Sequence, residues 1–292
     1  MNKQNKLSLK DFEELTETQL GVFVVVISDT IEVLENALAT DDDKMLREHL
    51  NLLQSAQNKI ETTITENDDF WKESDEITQI LNLCDSFTKE ERNEVLFSLA
   101  TFLSDLEEAM QESRGKILKK QEKMHSSVLD ILNEIQDNFK TFAAEDIFYD
   151  TLSIVLKELL DLYSDETMVE SDEDKKWYKE ALSNAKFFTQ KLTEFDKTKP
   201  FDENLFALYD SIDENKQEFL YMEITDFGID LLSEKLVDLQ DEYEGLDVDL
   251  SKHEDNLAAI KQIKRKLQKK YKDAAWTFPL PRTTLLLRAR LS

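Results

Sequence analysis

Apolar side chains recur every three or four residues along most of the chain, and this spacing predicts helices packed along their length. The longest regular stretch runs from Thr88 to Phe142. Polar Arg114, Gln121 and Asn138 fill the gaps in its otherwise apolar seam of Leu96, Leu99, Leu103, Leu106, Met110, Ile117, Met124, Val128, Ile131 and Ile135. Thr88 and Glu91 form a capping-box pattern at its start. We therefore predict a long central helix over 88–142, which would span roughly 80 Å if it is continuous.

The middle of this stretch leaves a second arrangement open. Residues 111–123 have little to bury, and Gly115 lies among them. The unbroken phase of the apolar positions favours one helix that continues through Gly115. A turn at Gly115 would instead give a hairpin and a more compact bundle.

The same spacing predicts helices along the rest of the chain. The first runs from about Leu9 to Ala39 and is apolar on all sides between Leu20 and Ile27, so other helices should surround it. A short connection makes it antiparallel to the second helix. The remaining predicted helices cover the segments 46–64, 77–84, 145–163, 174–195, 202–250 and 254–271. An interruption of the 202–250 helix near Asp226 or Gly228 is an alternative.

Composition supports a chain without strands. It contains 4 Gly and 3 Pro in 292 residues, whereas average usage would give roughly 20 and 15. Strands need tight turns, and tight turns need these residues. We predict an all-α fold, an elongated bundle of long antiparallel helices with coiled-coil-like packing.

Composition also predicts a division of the chain. Residues 1–164 form a predicted N-terminal bundle around the central helix, and residues 171–275 a second helical region that ends in a basic helix. The acidic stretch between them has little to bury and is the predicted linker. Residues 276–292 contain three arginines and no acid, so this tail is either a docking peptide or not native to the protein.

Charge is distributed unevenly. The chain carries 63 acidic and 36 basic residues, a net charge of −27, but residues 251–292 alone have a net charge of +8. The remaining body therefore has a net charge of −35 and should repel nucleic acid and anionic membranes. The predicted last helix carries the candidate partner-binding residues Lys261, Lys264, Arg265, Lys266, Lys269 and Lys270.

Two explanations of this basic helix remain open. It contacts an external anionic surface, which would be a membrane, a nucleic acid or an acidic protein. Alternatively, it neutralises the acidic body of its own chain or of another copy.

Motifs of catalysis and metal binding are incomplete. Glu122 and His125 have the Glu-x-x-His spacing of di-iron bundles, but such sites need a second pair and two further glutamates. Three histidines and the single cysteine, Cys84, do not make an ordinary zinc site. The scarcity of glycine excludes phosphate-binding loops, and the acidic runs lack EF-hand spacing. We predict no catalytic, cofactor-binding or metal-binding residues and a protein that is not an enzyme.

The function that fits this pattern best is a non-catalytic helical interaction or scaffold protein, a subunit of a larger assembly. Its partners would be proteins, with self-association as one form. An alternative is an acidic mimic of nucleic acid that inhibits a basic protein. A second alternative is a soluble helical toxin, suggested by Leu20–Ile27. The lone cysteine and the lack of a signal peptide or a spanning segment predict a cytoplasmic location.

Overall fold

All regular elements in the described part of the chain are helices. The computed structural model describes residues 18–40, 43–66, 70, 75–112, 119–165, 172–243 and 248–271, and no strand occurs among them. The all-α prediction is confirmed for these residues. The predicted helix start near Leu9, the position of Gly115 and the tail at 276–292 lie outside them.

Eleven α-helices are numbered here in chain order. They are α1 (Gln19–Leu38), α2 (Lys44–Glu66), α3 (Glu76–Cys84), α4 (Lys89–Glu112), α5 (Lys119–Phe139), α6 (Asp146–Ser164), α7 (Asp172–Thr193), α8 (Phe201–Ser211), α9 (Glu214–Glu218), α10 (Phe227–Glu242) and α11 (Ser251–Lys270) within the described ranges. A π-helical segment, Phe219–Asp226, joins α9 to α10 without a break. The interruption considered near Asp226 is therefore a change of helix type and not an end.

Contacts divide the chain into two compact units, Met1–Gln136 and Asp137–Ser292. The sequence-based division followed the acidic stretch between 164 and 171. The contact-based division lies earlier because α6 packs on α7 and α11, which places this helix in the second unit.

In the first unit, α1, α2 and α4 pack on one another, and α3 contacts α1 and α2. Gln57 of α2 reaches Ser28 of α1, and Gln54 reaches Glu35. Residue numbers along α1 rise while those of the contacting residues in α2 fall. The two helices are therefore antiparallel, as predicted. The apolar stretch of α1 contributes Val22, Phe23, Val26 and Ile27 to the buried core.

The central helix is not one rod. His125 Nε2 of α5 lies 2.9 Å from Glu107 Oε1 of α4, although residues 18 positions apart in a continuous helix would be about 27 Å apart. The prediction of a single helix over 88–142 is therefore wrong, and α4 and α5 fold back on each other. The apolar residues of 88–142 keep their spacing of three and four because α4 and α5 each bury one face.

In the second unit, α11 packs on α6, α10 and the π-helical segment. Its apolar face is buried through Ala258, Ala259, Ile260, Ile263 and Leu267. Gly228 permits the close approach of α10. A Cβ at this position would lie 3.0 Å from Val155 Cγ2 and 3.1 Å from Ile260 Cγ1. A hydrogen there lets three helices meet at one point.

We predict that Gly228→Ala destabilises the protein, by about 1 kcal/mol net. Overpacking costs about 1–3 kcal/mol, and the better helix propensity of Ala returns about 1 kcal/mol. In a Val155→Ala background, the same change should cost nothing or stabilise, because the obstructing methyl groups are gone. Urea unfolding of the four proteins of this double-mutant cycle measures the coupling. An equal cost in both backgrounds would show that contact with Val155 is not the cause.

Candidate interaction surface

The first turn of α4 is fixed by the predicted capping box. The Thr88 backbone N–H donates to Glu91 Oε2 at 2.7 Å, and the Glu91 N–H donates to Thr88 Oγ1 at 3.2 Å. The pair satisfies two backbone donors that the start of a helix leaves without partners. This prediction from sequence is confirmed.

The same carboxylate also joins α4 to α2. Ser55 Oγ donates to Glu91 Oε1 and Lys59 Nζ to Glu91 Oε2, both at 2.6 Å. Only 5% of the Glu91 side chain is exposed. Burial raises the pKa of Glu91, but the hydrogen bonds from Lys59, Ser55 and the Thr88 backbone outweigh it and hold the pKa below its ordinary value. Glu91 is thus a charged, fully bonded connection between two helices.

A second polar contact follows one turn further along α4. His49 Nδ1 lies 2.6 Å from Glu94 Oε2, and the His49 ring stacks on the ring of Phe97, with centroids 6.3 Å apart. Partner numbers in α2 and α4 again run in opposite directions, so these helices are antiparallel. The two polar contacts hold α4 beside α2 over about one turn.

The outer face of α4 carries an uncharged strip. Phe97 is 63% exposed, and so are the residue four positions before it and the residues three, four and seven positions after it. They are small or polar and carry no charge: Asn93, Ala100, Thr101 and Ser104. We call these five residues the α4 strip. In a chain with 34% charged residues, three turns of exposed helix without a charge are unexpected for a surface that serves only solubility.

The predicted partner-binding residues on α11 lie against their own unit. Lys261 Nζ is 2.8 Å from Asp137 Oδ2, Lys264 Nζ is 2.6 Å from Asp226 Oδ1, and Lys266 Nζ is 2.7 Å from Asp202 Oδ1. These three ion pairs correspond to the alternative that the helix neutralises its own acidic body. The aspartates lie on three different elements, so no sequence spacing indicated them.

The other three candidate cations lie near the carboxyl end of α11. The Arg265 guanidinium lies 5.1 Å from the ring centre of Phe139, and Lys270 Nζ lies 5.6 Å from that of Phe206. Lys269 and Lys270 are exposed. Binding of an external partner by this helix stays a prediction, and these exposed residues are the part of it that faces solvent.

Gln262 makes a structural contact that the sequence pattern did not predict. Its Nε2 donates to the carbonyl oxygens of Asp137 and Lys140, both at 2.9 Å. Carbonyl groups at the end of a helix lack partners within it, so this amide closes the carboxyl end of α5. A glutamine between Lys261 and Ile263 gives no sign of such a role.

The remaining candidate chemistry does not form a site among the described residues. The contact of His125 is Glu107 on α4 and not Glu122, and Cys84 is buried. No group of three or more potential metal ligands occurs among those residues. A pocket between α6, α7, α8 and the π-helical segment has only apolar walls, including Leu152, Phe188 and Leu205. No described helix combines the length and apolar character needed to cross a bilayer.

Comparisons with protein-family models, with curated proteins and with solved structures gave no match to this chain.

We predict that Glu91→Gln lowers the free energy of unfolding by about 1–3 kcal/mol at pH 7, because a neutral amide cannot accept both side-chain hydrogen bonds and pair with Lys59. The control Glu90→Gln alters an exposed neighbour and should cost no more than about 1 kcal/mol. Urea unfolding measures both. Equal costs would show that the Glu91 contacts contribute nothing specific.

The Glu91 contribution should also depend on pH. The folded-state pKa lies below the ordinary value of 4.5, so the stabilisation is complete above that value and is lost as pH falls through the folded pKa. The difference in unfolding free energy between wild type and Glu91→Gln should therefore shrink on acidification from pH 7 to pH 3. A difference that grows on acidification would contradict the assignment.

We predict different losses of stability for alanine substitutions at two lysines of α11. Lys261→Ala leaves Asp137 without its cation in a contact where the two side chains are 13% and 24% exposed, and it should cost about 1–3 kcal/mol of stability. Lys269→Ala changes an exposed position and should cost less than about 0.5 kcal/mol. Thermal unfolding followed by circular dichroism compares them. Equal effects would contradict a structural role for the Lys261 pair.

Proposed function

We propose that this protein is a non-catalytic helical interaction protein that acts as a subunit of a larger assembly, and that the α4 strip is its contact surface. The observation that carries the proposal is the exposure of Phe97 at the centre of an uncharged helix face.

Two properties of protein interfaces support this use. Interface centres are depleted in charged residues and enriched in aromatic ones, and a few aromatic anchors carry most of the binding energy. Full burial of a Phe side chain contributes about 1.5–3 kcal/mol. On the surface of a protein with a net charge of −27, an uncharged strip is also the region where a partner meets least repulsion.

The contacts beneath the strip support a pre-formed surface. Glu91 and Glu94 hold α4 against α2 on one side of the helix, and His49 stacks on the anchor ring itself. A side chain that is already ordered loses less conformational entropy when a partner binds. The strip therefore has the rigidity that a specific contact needs.

A second candidate function is an acidic mimic that occupies the nucleic-acid site of a basic protein. It is favoured by the outer face of α10, where Asp230, Glu234, Asp238 and Asp241 follow each other at steps of four, four and three. Such a partner would compete with DNA or RNA, and binding would weaken steeply with salt. The toxin alternative has no comparable support, because the side chains of α1 that would enter a membrane are buried in the first unit.

We predict that Phe97→Gln releases specifically bound partners when the tagged full-length chain is recovered from its native cells. Quantitative mass spectrometry should show at least a tenfold loss of those partners, as expected for a central aromatic anchor. The control Val33→Gln alters another exposed apolar residue of the same unit, 60% exposed on α1, and should leave them unchanged. Melting temperatures of the three proteins should agree.

Two results would contradict the proposal. Recovery of the same proteins in the same amounts with wild type and Phe97→Gln would show that the strip binds none of them. A competition between nucleic acid and this protein for a basic partner, unaffected by Phe97→Gln, would favour the acidic mimic.

A further inference from the structure

We infer that Tyr209 and Tyr271 form an oxidation site, at which a one-electron oxidant joins the two side chains by a covalent bond. The bond would link α8 to the residue that follows α11. This inference is independent of the α4 strip. Three features of the pair support it: the contact between the two rings, a proton acceptor beside one of them and their unequal exposure.

The two phenol rings lie face to face. Their centroids are 4.0 Å apart and their planes are inclined by 28°, whereas the centroids of the stacked rings of Phe148 and Phe201 are 4.9 Å apart. Phe206, one turn earlier on α8, packs edge-on against Tyr271 with centroids 6.2 Å apart and so helps to hold this ring in place. A stack this close brings carbons of the two phenols into van der Waals contact, so a bond between them needs little movement.

Asp210 supplies the proton acceptor that oxidation of a phenol needs. The Tyr271 hydroxyl donates to Asp210 Oδ1 at 2.7 Å. Burial, and then the hydrogen bond to Asp210, raise the pKa of Tyr271, while burial followed by the charge of Asp210 raises the pKa of Tyr209 to about 12. Both phenols therefore keep their protons at neutral pH. A carboxylate in contact with one phenol lets the electron and the proton leave together.

The two rings differ in exposure. Tyr209 is 4% exposed, whereas Tyr271 is only partly buried. An oxidant in solution therefore reaches Tyr271 first. A radical formed there is in contact with a second oxidisable ring, and the burial of that ring limits competing reactions with molecules in solution.

The reaction removes two electrons and two protons in total. The oxidant takes one electron from Tyr271 while its phenolic proton passes to Asp210, and a second oxidising equivalent takes one electron from Tyr209, whose phenolic proton leaves to water. A carbon–carbon bond then forms between the ring carbons next to the two hydroxyls, and the hydrogens of these carbons return to the phenolic oxygens. Hydrogen peroxide acting through a haem peroxidase is an oxidant of this class and is reduced to two waters.

A second tyrosine pair of the same unit provides an internal comparison. The rings of Tyr163 and Tyr178 are perpendicular, with centroids 5.8 Å apart, and both residues are buried. The Tyr163 hydroxyl also donates to a carboxylate, Glu223 Oε2, at 2.7 Å. This pair has the proton acceptor but neither the stacked rings nor the access for an oxidant, so it should not cross-link.

The bond would have a structural consequence. Because α11 packs on α6, α10 and the π-helical segment, its attachment to α8 would close a long loop of the chain and restrict the unfolded state. Oxidation should therefore stabilise the second unit, and thermal unfolding of the cross-linked protein should show this as a higher melting temperature.

Controlled oxidation of the dilute full-length chain tests the inference. Tris(bipyridine)ruthenium, persulfate and brief visible light supply a one-electron oxidant, and persulfate takes up the two electrons as it becomes two sulfates. Wild type should give the fluorescence of dityrosine without a dimer in denaturing electrophoresis. Mass spectrometry should identify a joined pair of peptides, those of Tyr209 and Tyr271, which together lack two hydrogens.

Conservative variants separate the roles of the residues. Tyr209→Phe and Tyr271→Phe should each abolish the joined peptides. Asp210→Asn keeps an acceptor oxygen but removes the base, so it should slow their formation at least about tenfold. The matched control Tyr243→Phe removes a partly buried tyrosine of the same unit and should change nothing. Melting temperatures of the unoxidised proteins should agree.

Other results overturn the inference. Fluorescence that persists in Tyr271→Phe, or joined peptides that map to Tyr163 and Tyr178, would place the reaction elsewhere. Dimers in place of an internal bond would show that the two stacked rings do not react with each other. Formation as fast in Asp210→Asn as in wild type would contradict the role of the carboxylate as proton acceptor.

Discussion

The scarcity of positive charge is the constraint on which this fold depends. With 36 basic and 63 acidic residues, few cations are available to pair with the carboxylates where helices meet. The second unit meets this constraint by placing its most basic helix, α11, against three other elements. The three lysines that pair with Asp137, Asp202 and Asp226 are each less than a third exposed. The feature that first suggested an external partner thus serves packing inside the unit.

The first unit meets the same constraint with fewer cations. Between α2 and α4, Lys59 pairs with the nearly buried Glu91, and His49 Nδ1 lies 2.6 Å from the nearly buried Glu94. Glu91 also caps α4, so one carboxylate both closes the start of its own helix and binds side chains of a neighbouring helix. The inner and lateral sides of α4 are committed to these contacts. Its outer face, with Phe97, is the side that these contacts leave exposed.

The sequence predicted local features well. Helical periodicity located the helices, and the Thr88–Glu91 capping box and the antiparallel pairing of α1 and α2 are confirmed. The sequence-based prediction failed where the outcome depended on contacts between residues that are distant in the chain. The seam from 88 to 142 keeps its phase both in a rod and in a hairpin, and only the contact between Glu107 and His125 distinguishes them. Periodicity records which residues of a helix face a neighbour, and it does not identify that neighbour.

The helical class and the approximate positions of most helices could be derived from the sequence, because they follow from the preferences of neighbouring residues, and the excess of acid follows from composition alone. Only the tertiary structure decided which cations are used internally and which apolar side chain stays exposed. Ion pairs such as Lys261 with Asp137 join residues more than a hundred positions apart, and Phe97 occupies a place where the helical pattern alone predicts an ordinary solvent-facing residue. The physical reason is that charge pairing and burial depend on distance in space, which the order of residues does not record.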